Sequence, residues 1–366
     1  MMRWALQNAV GPHREVIGVA AIDNSEVANA VYSANFPLTA PLRRNVEHIT
    51  REQIERDFGD ADVWTASPPC QPYTRRGNEK HDADPRARSF ARLLEMFPTI
   101  DETCRPKRVL VENVVGFEKS ATRDALVNAL GGEYHLRESV VSPRRLGVPN
   151  TRERYYLLAK RKELGPFAAD GAFSFLFGDD GEATEARAAE TKRIREVRHY
   201  LRRATSASDA SRTKKRRPDA SLAVPAPAAA KYWRWFDVVT PSSLGSQCFT
   251  AGYGKTVYGG SVLAAEAFAS DPEMCEVTDA AQKRYRLVRP PPPGALRYFA
   301  PEEIAALHGL ETRSSEDASA ASGAPPRFAL PDTLTRRQLY STLGNSVSVD
   351  VVQELMRYLM KDVGRE

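Results

Sequence analysis

Cysteine is scarce in this chain, and its spacing excludes more than its number does. The four cysteines, Cys70, Cys104, Cys248 and Cys275, lie far apart with no Cys-x-x-Cys pair. Neither a zinc site nor a disulfide framework is expected, and no metal is assigned. Long apolar runs are also missing: no stretch approaches the roughly 20 residues that cross a bilayer, so no membrane partner is expected. The chain opens on an amphipathic stretch rather than a secretion signal, which predicts a cytoplasmic protein with access to the nucleus. No internal repeat is present. With 366 residues, there is room for one large domain and a smaller lobe.

Acidic residues are nearly absent from one segment. Residues 192–217 hold eleven Lys and Arg against Glu196 and Asp209, although the whole chain carries only +5. A basic block in an otherwise mildly acidic protein points to a polyanion partner, and equally to a solvated charge run. Within it, Lys214, Lys215, Arg216 and Arg217 also read as a nuclear targeting patch.

Short apolar runs alternate with helical patterns in the first 160 residues. Strands are predicted at 16–22, 62–66, 109–111, 136–141 and 155–159, and helices at 27–35, 88–97 and 121–130. This alternation predicts an α/β fold with a mostly parallel sheet. Ligands of such sheets bind at the carboxyl ends of the strands. Asp23, Cys70 and Glu112 each follow a predicted strand. Beyond residue 160 the pattern changes. A basic helix is predicted at 184–203, and low-complexity insertions at 204–230 and 311–327. An amphipathic helix ends near Leu359.

Three blocks carry chemistry. Residues 67–75 read Ser-Pro-Pro-Cys-Gln-Pro-Tyr-Thr-Arg, residues 111–114 Val-Glu-Asn-Val, and residues 151–154 Thr-Arg-Glu-Arg. A lone cysteine is more often a small buried hydrophobe. Pro-Pro before Cys70 and Gln-Pro after it stiffen the turn and favour an accessible nucleophile. Glu112 reads either as a cap for the next segment or as an acid at the crevice. Arg152 and Arg154 alternate at a strand start, so one face would carry two guanidinium groups. A thiol, an acid and two cations are the groups needed to attack C6 of a pyrimidine. That addition makes C5 nucleophilic.

These blocks, in this order and with Leu343-Gly344-Asn345-Ser346 near the end, resemble the cytosine-C5 methyltransferase family. Cys248-Phe249-Thr250 followed by Gly-Tyr-Gly resembles its tRNA-methylating subfamily, whose members act on an anticodon-loop cytosine, chiefly of aspartate tRNA. The resemblance implies a Rossmann-like sheet using S-adenosylmethionine. It implies a catalytic domain of residues 1–160 with 330–366, and a recognition lobe of 161–329. Cys70 would be the nucleophile and Glu112 the partner of ring N3, with Arg152 and Arg154 holding the base. Asp23 and Asn24 would meet the donor's ribose, Val46 and Glu47 its adenine region, and Ser67, Asn345 and Ser346 would close its pocket. Gln71, Cys248, Phe249 and Thr250 would face the RNA, with Cys248 also readable as a core residue. A monomer acting on tRNA is expected, with DNA the second substrate. The resemblance has one departure: the family's Ser-Gly-x-Gly-Gly loop and its strand do not precede Met2-Arg3-Trp4-Ala5-Leu6. Weak donor binding and an exposed sheet position follow as expectations.

Overall fold

The computed structural model describes residues 1–11, 14–70, 88–168, 193–201, 222–312 and 327–361. They fall into two compact units. One comprises Met1–Arg145, Glu153–Thr191 and Val349–Glu366; the other comprises Leu146–Arg152 and Lys192–Ser348.

The first unit contains helices α1 (Met2–Val10), α2 (Glu26–Asn35), α3 (Arg51–Phe58), α4 (Arg88–Met96) and α5 (Ala121–Gly131). Its strands are β1 (Val63–Ala66), β2 (Arg108–Val114), β3 (Tyr134–Val141) and β4 (Arg154–Arg161), and the C-terminal helix Val349–Met360 completes it. Side-chain caps set several helix starts. Ser25 Oγ accepts from Ala28 N–H, and Ser120 Oγ accepts from Arg123 N–H. Thr50 and Gln53 bond reciprocally across the first turn of α3, which satisfies two otherwise orphaned donors. Apolar faces of α4 and α5 cover the sheet through Phe90, Leu94, Leu126 and Leu130, against Val109, Val111, Leu157 and Ala159. Each such buried aliphatic side chain contributes about 1.5–3 kcal/mol. The C-terminal helix packs against α1.

The sheet order is β1-β2-β4-β3. Only β1 and β2 are parallel; β2–β4 and β3–β4 are antiparallel. This corrects the mostly parallel expectation. A period-2 pattern marks a strand without giving its direction, and direction follows from the connection.

Residues 16–22 are the second correction. They form no ladder, and Ile22 makes one isolated bridge to Leu42. Ile17 is 78% exposed and Val19 44%. An apolar run becomes a buried strand only where a neighbour pairs with its backbone. Here the bonds are Leu42 N–H to Ala21 O and Asp23 N–H to Leu42 O.

The second unit holds α6 (Ala226–Tyr232), β5 (Val238–Val239), β6 (Val262–Ala264), α7 (Glu266–Ala269), β7 (Cys275–Asp279), β8 (Arg284–Leu287), β9 (Leu296–Arg297), α8 (Pro301–Leu307) and α9 (Arg336–Gly344). Its sheet order is β7-β8-β5-β6-β9. The core beneath it includes Phe236, Val238, Val262, Met274, Leu287 and Leu296.

Residues 330–348 belong to this unit rather than to the first, because Tyr340 and Gly344 pack on its own loops. Tyr340 donates to Phe299 O at 2.6 Å, and its ring meets Tyr253 edge-on at 5.0 Å. The basic helix predicted at 184–203 is, in its described part, one 3₁₀ turn at Val197–Tyr200. The N–H groups of Arg195, Val197 and Arg198 bond to the carbonyls of Gly147, Ser243 and Pro241, so they are not spent on a helix. Residues 222–230 of the first predicted insertion are ordered. Val224 and Ala229 join the core, and Ala-rich α6 starts with proline in its first turn. Residues 204–221 and 313–326 lie outside the described residues, as does most of the basic block. Among the described residues, no helix is long and apolar enough to cross a membrane.

Candidate active site

The parallel register of β1 on β2 brings two of the sequence blocks to one edge. Ala66 lies opposite Val111, so the turn after β1 and the end of β2 leave the sheet together. Residues 67–70 make that turn, and Cys70 is half-buried and takes part in no disulfide. Asn113 is buried and ties the edge together. Its Nδ2 donates to Pro68 O at 3.4 Å, and its Oδ1 accepts from Val114 N–H at 2.8 Å. In the sequence, Asn113 reads as a turn-fixing residue. Its position beside Glu112 was the available signal for a link to the Cys70 turn.

Glu112 lies inside β2 rather than at its end, and it is buried. Strand register explains its partner. Arg154 stands opposite Val114, and Glu112 shares a face with Val114 two residues back. The two side chains are therefore diagonal neighbours across the antiparallel pair. Arg154 Nε comes within 3.2 Å of Glu112 Oε1, with both groups largely shielded from solvent. Arg154 also donates to Glu153 O at 2.8 Å. An acid and a cation thus stand on the sheet edge that carries the thiol turn.

Arg152 does not share this face. Strand β4 begins only at Arg154, and residues 146–152 belong to the second unit. Thr151 N–H donates to Ser246 O at 2.9 Å, and Ser246 Oγ donates to Pro149 O at 2.7 Å. Arg152 is 2% exposed. Its guanidinium donates to Cys248 Sγ at 3.1 Å, to Phe249 O and Gly344 O at 3.0 Å each, and to Ser346 O. This fork clamps the 248–249 segment to the end of α9. The sequence could not show it, because the acceptors are 96–194 residues away.

Phe249 is also placed differently from expectation. Its ring is wholly buried, edge-on to Tyr253 and Phe299 at 5.0 and 5.1 Å, and so supports the loop from within. Thr250 is exposed, and its N–H bonds to Gly259 O at 2.7 Å. Cys248 is half-buried against Arg152. Gln71 lies outside the described residues.

The nucleoside half of S-adenosylmethionine offers two hydroxyl donors and a flat ring. Asp23 and Asn24 are exposed just before the Ser25 cap of α2, and Asp23 Oδ1 accepts from Ser25 N–H at 2.7 Å. Val46 packs on the core, and Glu47 is half-buried with Oε2 3.4 Å from Asn45 Nδ2. Carboxylate oxygens suit ribose hydroxyls and an apolar side chain suits an adenine face, so these residues fit that half in chemical kind. Ser67 is exposed, with Oγ 3.8 Å from Met2 Sδ. Asn345 and Ser346 lie in the second unit, where Ser346 Oγ donates to Leu343 O at 2.7 Å. Among the described residues, no group of three His, Cys, Asp or Glu could hold a metal ion.

A family model described as C-5 cytosine-specific DNA methylase matches residues 2–361. A Bos taurus protein named tRNA (cytosine(38)-C(5))-methyltransferase is 32% identical over 380 residues, covering 93% of this chain and 92% of its own. A Dictyostelium discoideum protein named DNA (cytosine-5)-methyltransferase is 28% identical over 394 residues, with coverage of 98% and 91%. The solved S. pombe Dnmt2 methyltransferase superposes with a TM-score of 0.68 at 29% identity, covering 98% of this chain and 94% of that one. The fold is therefore that of an S-adenosylmethionine-dependent methyltransferase, as the resemblance implied, and its α/β class is the one the sequence pattern predicted. Agreement over nearly the whole length shows that the chain belongs to the C-5 cytosine-specific DNA methylase family and is a methyltransferase.

Proposed function

We propose that this enzyme methylates C5 of a cytosine in a tRNA anticodon loop, chiefly of aspartate tRNA, through a covalent adduct on Cys70. The observation that carries the reading is the shared sheet edge: the Cys70 turn is bonded to Asn113, next to the buried Glu112–Arg154 pair. In this reading the Cys70 thiolate adds to C6 of the ring, forming a C–S bond and moving electron density to C5. Glu112 binds at N3, and Arg154 orients both Glu112 and the base. S-adenosylmethionine supplies an electrophilic methyl group. C5 would take up that methyl group with release of S-adenosylhomocysteine, and transfer of the C5 proton to a base with expulsion of the Cys70 thiolate would restore the aromatic ring. Arg152 acts as a positioning residue, holding the loop of Cys248 and Thr250 that would face the RNA. Asp23, Asn24, Val46 and Glu47 would hold the donor's nucleoside, with Ser67 at the edge of that site.

The name of the Bos taurus relative supports tRNA as substrate. An anticodon-loop base is already partly unstacked, so extruding it costs less than flipping a base from a duplex. The name of the Dictyostelium relative makes DNA the second reading. Methyl transfer from labelled donor to total tRNA and to genomic DNA, with Cys70→Ala as control, tests both. Label in tRNA that disappears with Cys70→Ala supports the proposal. Label in DNA alone overturns the substrate, and transfer that survives Cys70→Ala overturns the mechanism.

A further inference from the structure

The segment Lys231-Tyr232-Trp233-Arg234-Trp235 has no part in the site described above, yet it places large aromatic rings in solvent. Trp235 is 58% exposed and Tyr258 44%, with Tyr232 exposed beside them. The Trp235 and Tyr258 rings meet edge-on, with centroids 5.8 Å apart and planes at 62°. Trp233 is the anchor of the group: it turns inward and packs on the core of the second unit.

Cations lie along the same segment. Arg234 lies 4.8 Å from the Trp233 ring, and Lys231 Nζ lies 5.0 Å from the Tyr232 ring. Lys255, three residues before Tyr258, is exposed as well. Residues 225–260 contain one acid, Asp237. It is buried and held by Arg284 at 2.5 and 2.9 Å and by Ser261 Oγ. The nearest strand to the 233–235 turn, β8, carries Arg286, which is paired with Glu276. The outward charges of the 231–258 patch are therefore positive.

Exposed rings in a segment whose cations have no acidic partner among the described residues suit a partner that is both flat and anionic. Bases stack on aromatic faces without sequence preference, and phosphates meet the cations. Protein interfaces are also rich in Trp, Tyr and Arg but poor in Lys, so Lys231 and Lys255 favour a polyanion over a protein partner here. We propose that Trp235 and Tyr258 form a stacking platform for an unpaired RNA segment, with Lys231, Arg234 and Lys255 holding its phosphates. The proposal rests on the tRNA reading above and adds a contact surface to it.

The test uses the full chain with Trp235→Ala, Tyr258→Ala, the double variant and Trp235→Phe. Affinities for a tRNA transcript, a single-stranded oligoribonucleotide and an RNA duplex are measured by fluorescence anisotropy. Both side chains are half-exposed, so an unchanged thermal midpoint is expected. The double variant should bind tRNA and the single strand at least tenfold more weakly. Trp235→Phe, which keeps a π face, should recover most of that loss. In methyl transfer the loss should fall on KM rather than on kcat. Unchanged RNA affinity in the double variant overturns the platform, as does an equal loss toward the duplex. Concentration-dependent dimerisation by ultracentrifugation that the double variant abolishes overturns it too, because a second copy then covers the patch. A wild type that binds single-stranded RNA through these residues but methylates no tRNA leaves the platform standing and refutes the function reading instead.

Discussion

Arg152→Lys should destabilise the second unit before it affects any chemistry. The guanidinium serves two carbonyls at 3.0 Å, the Ser346 carbonyl and the Cys248 sulfur at once. A lysine ammonium is a point donor on a flexible stem and cannot span both arms of that fork. Each lost bond from a charged donor costs about 1.5–3 kcal/mol, and the carbonyls left behind are buried. Losing one arm with two bonds therefore costs about 3–6 kcal/mol. For a unit of this size, 1 kcal/mol lowers the thermal midpoint by about 2–4 °C, so a fall of at least about 6 °C is expected. Tryptophan fluorescence reports it, because Trp233 and Trp235 lie in this unit. Methyl transfer measured well below the new midpoint should recover toward wild type. A variant that keeps the wild-type midpoint but loses transfer would refute the clamp and return Arg152 to direct contact with the base.

The other predictions concern single atoms. Cys70→Ala should abolish both methyl transfer and the trapped adduct with 5-azacytidine-substituted RNA while leaving the fold intact; a persisting adduct would place the nucleophile elsewhere. Asn113→Ala removes the bond to Pro68 O and should lower kcat roughly ten- to hundredfold through misplacement of the Cys70 turn, with stability changed by only about 1 kcal/mol. Gly344→Ala would put a Cβ 2.1 Å from Ala251 N and the Thr250 carbonyl carbon, so a loss on the order of 3 kcal/mol is expected in thermal unfolding. Burial pushes the Cys275 thiol up to about 11, so iodoacetamide at pH 8 should label Cys70 and spare Cys275, as read by mass spectrometry. Because folding raises that value, the associated stability is present below about pH 9 and is lost as pH rises through 11.

Local signals were strong where one segment decides the outcome. The Pro-Pro-Cys turn, the apolar runs of β2 and β4 and the amphipathic C-terminal helix could be read directly, because each depends on residues a few positions apart. The run at 16–22 looked like a strand for the same reason. It failed because a strand needs a partner that its own residues do not supply. Residues 222–230 belong to a segment of low complexity, yet Val224 and Ala229 found core neighbours more than 30 residues away.

Sequence by itself determined the chemical inventory: a thiol in a stiff turn, an acid next to an asparagine, and two arginines two positions apart. Only the tertiary structure decided how they divide. Antiparallel register set Arg154 diagonally across from Glu112. The chain's excursion into the second unit sent Arg152 to buried carbonyls instead. The physical reason is that side-chain identity is local, whereas register and burial depend on groups that meet only after the chain has folded.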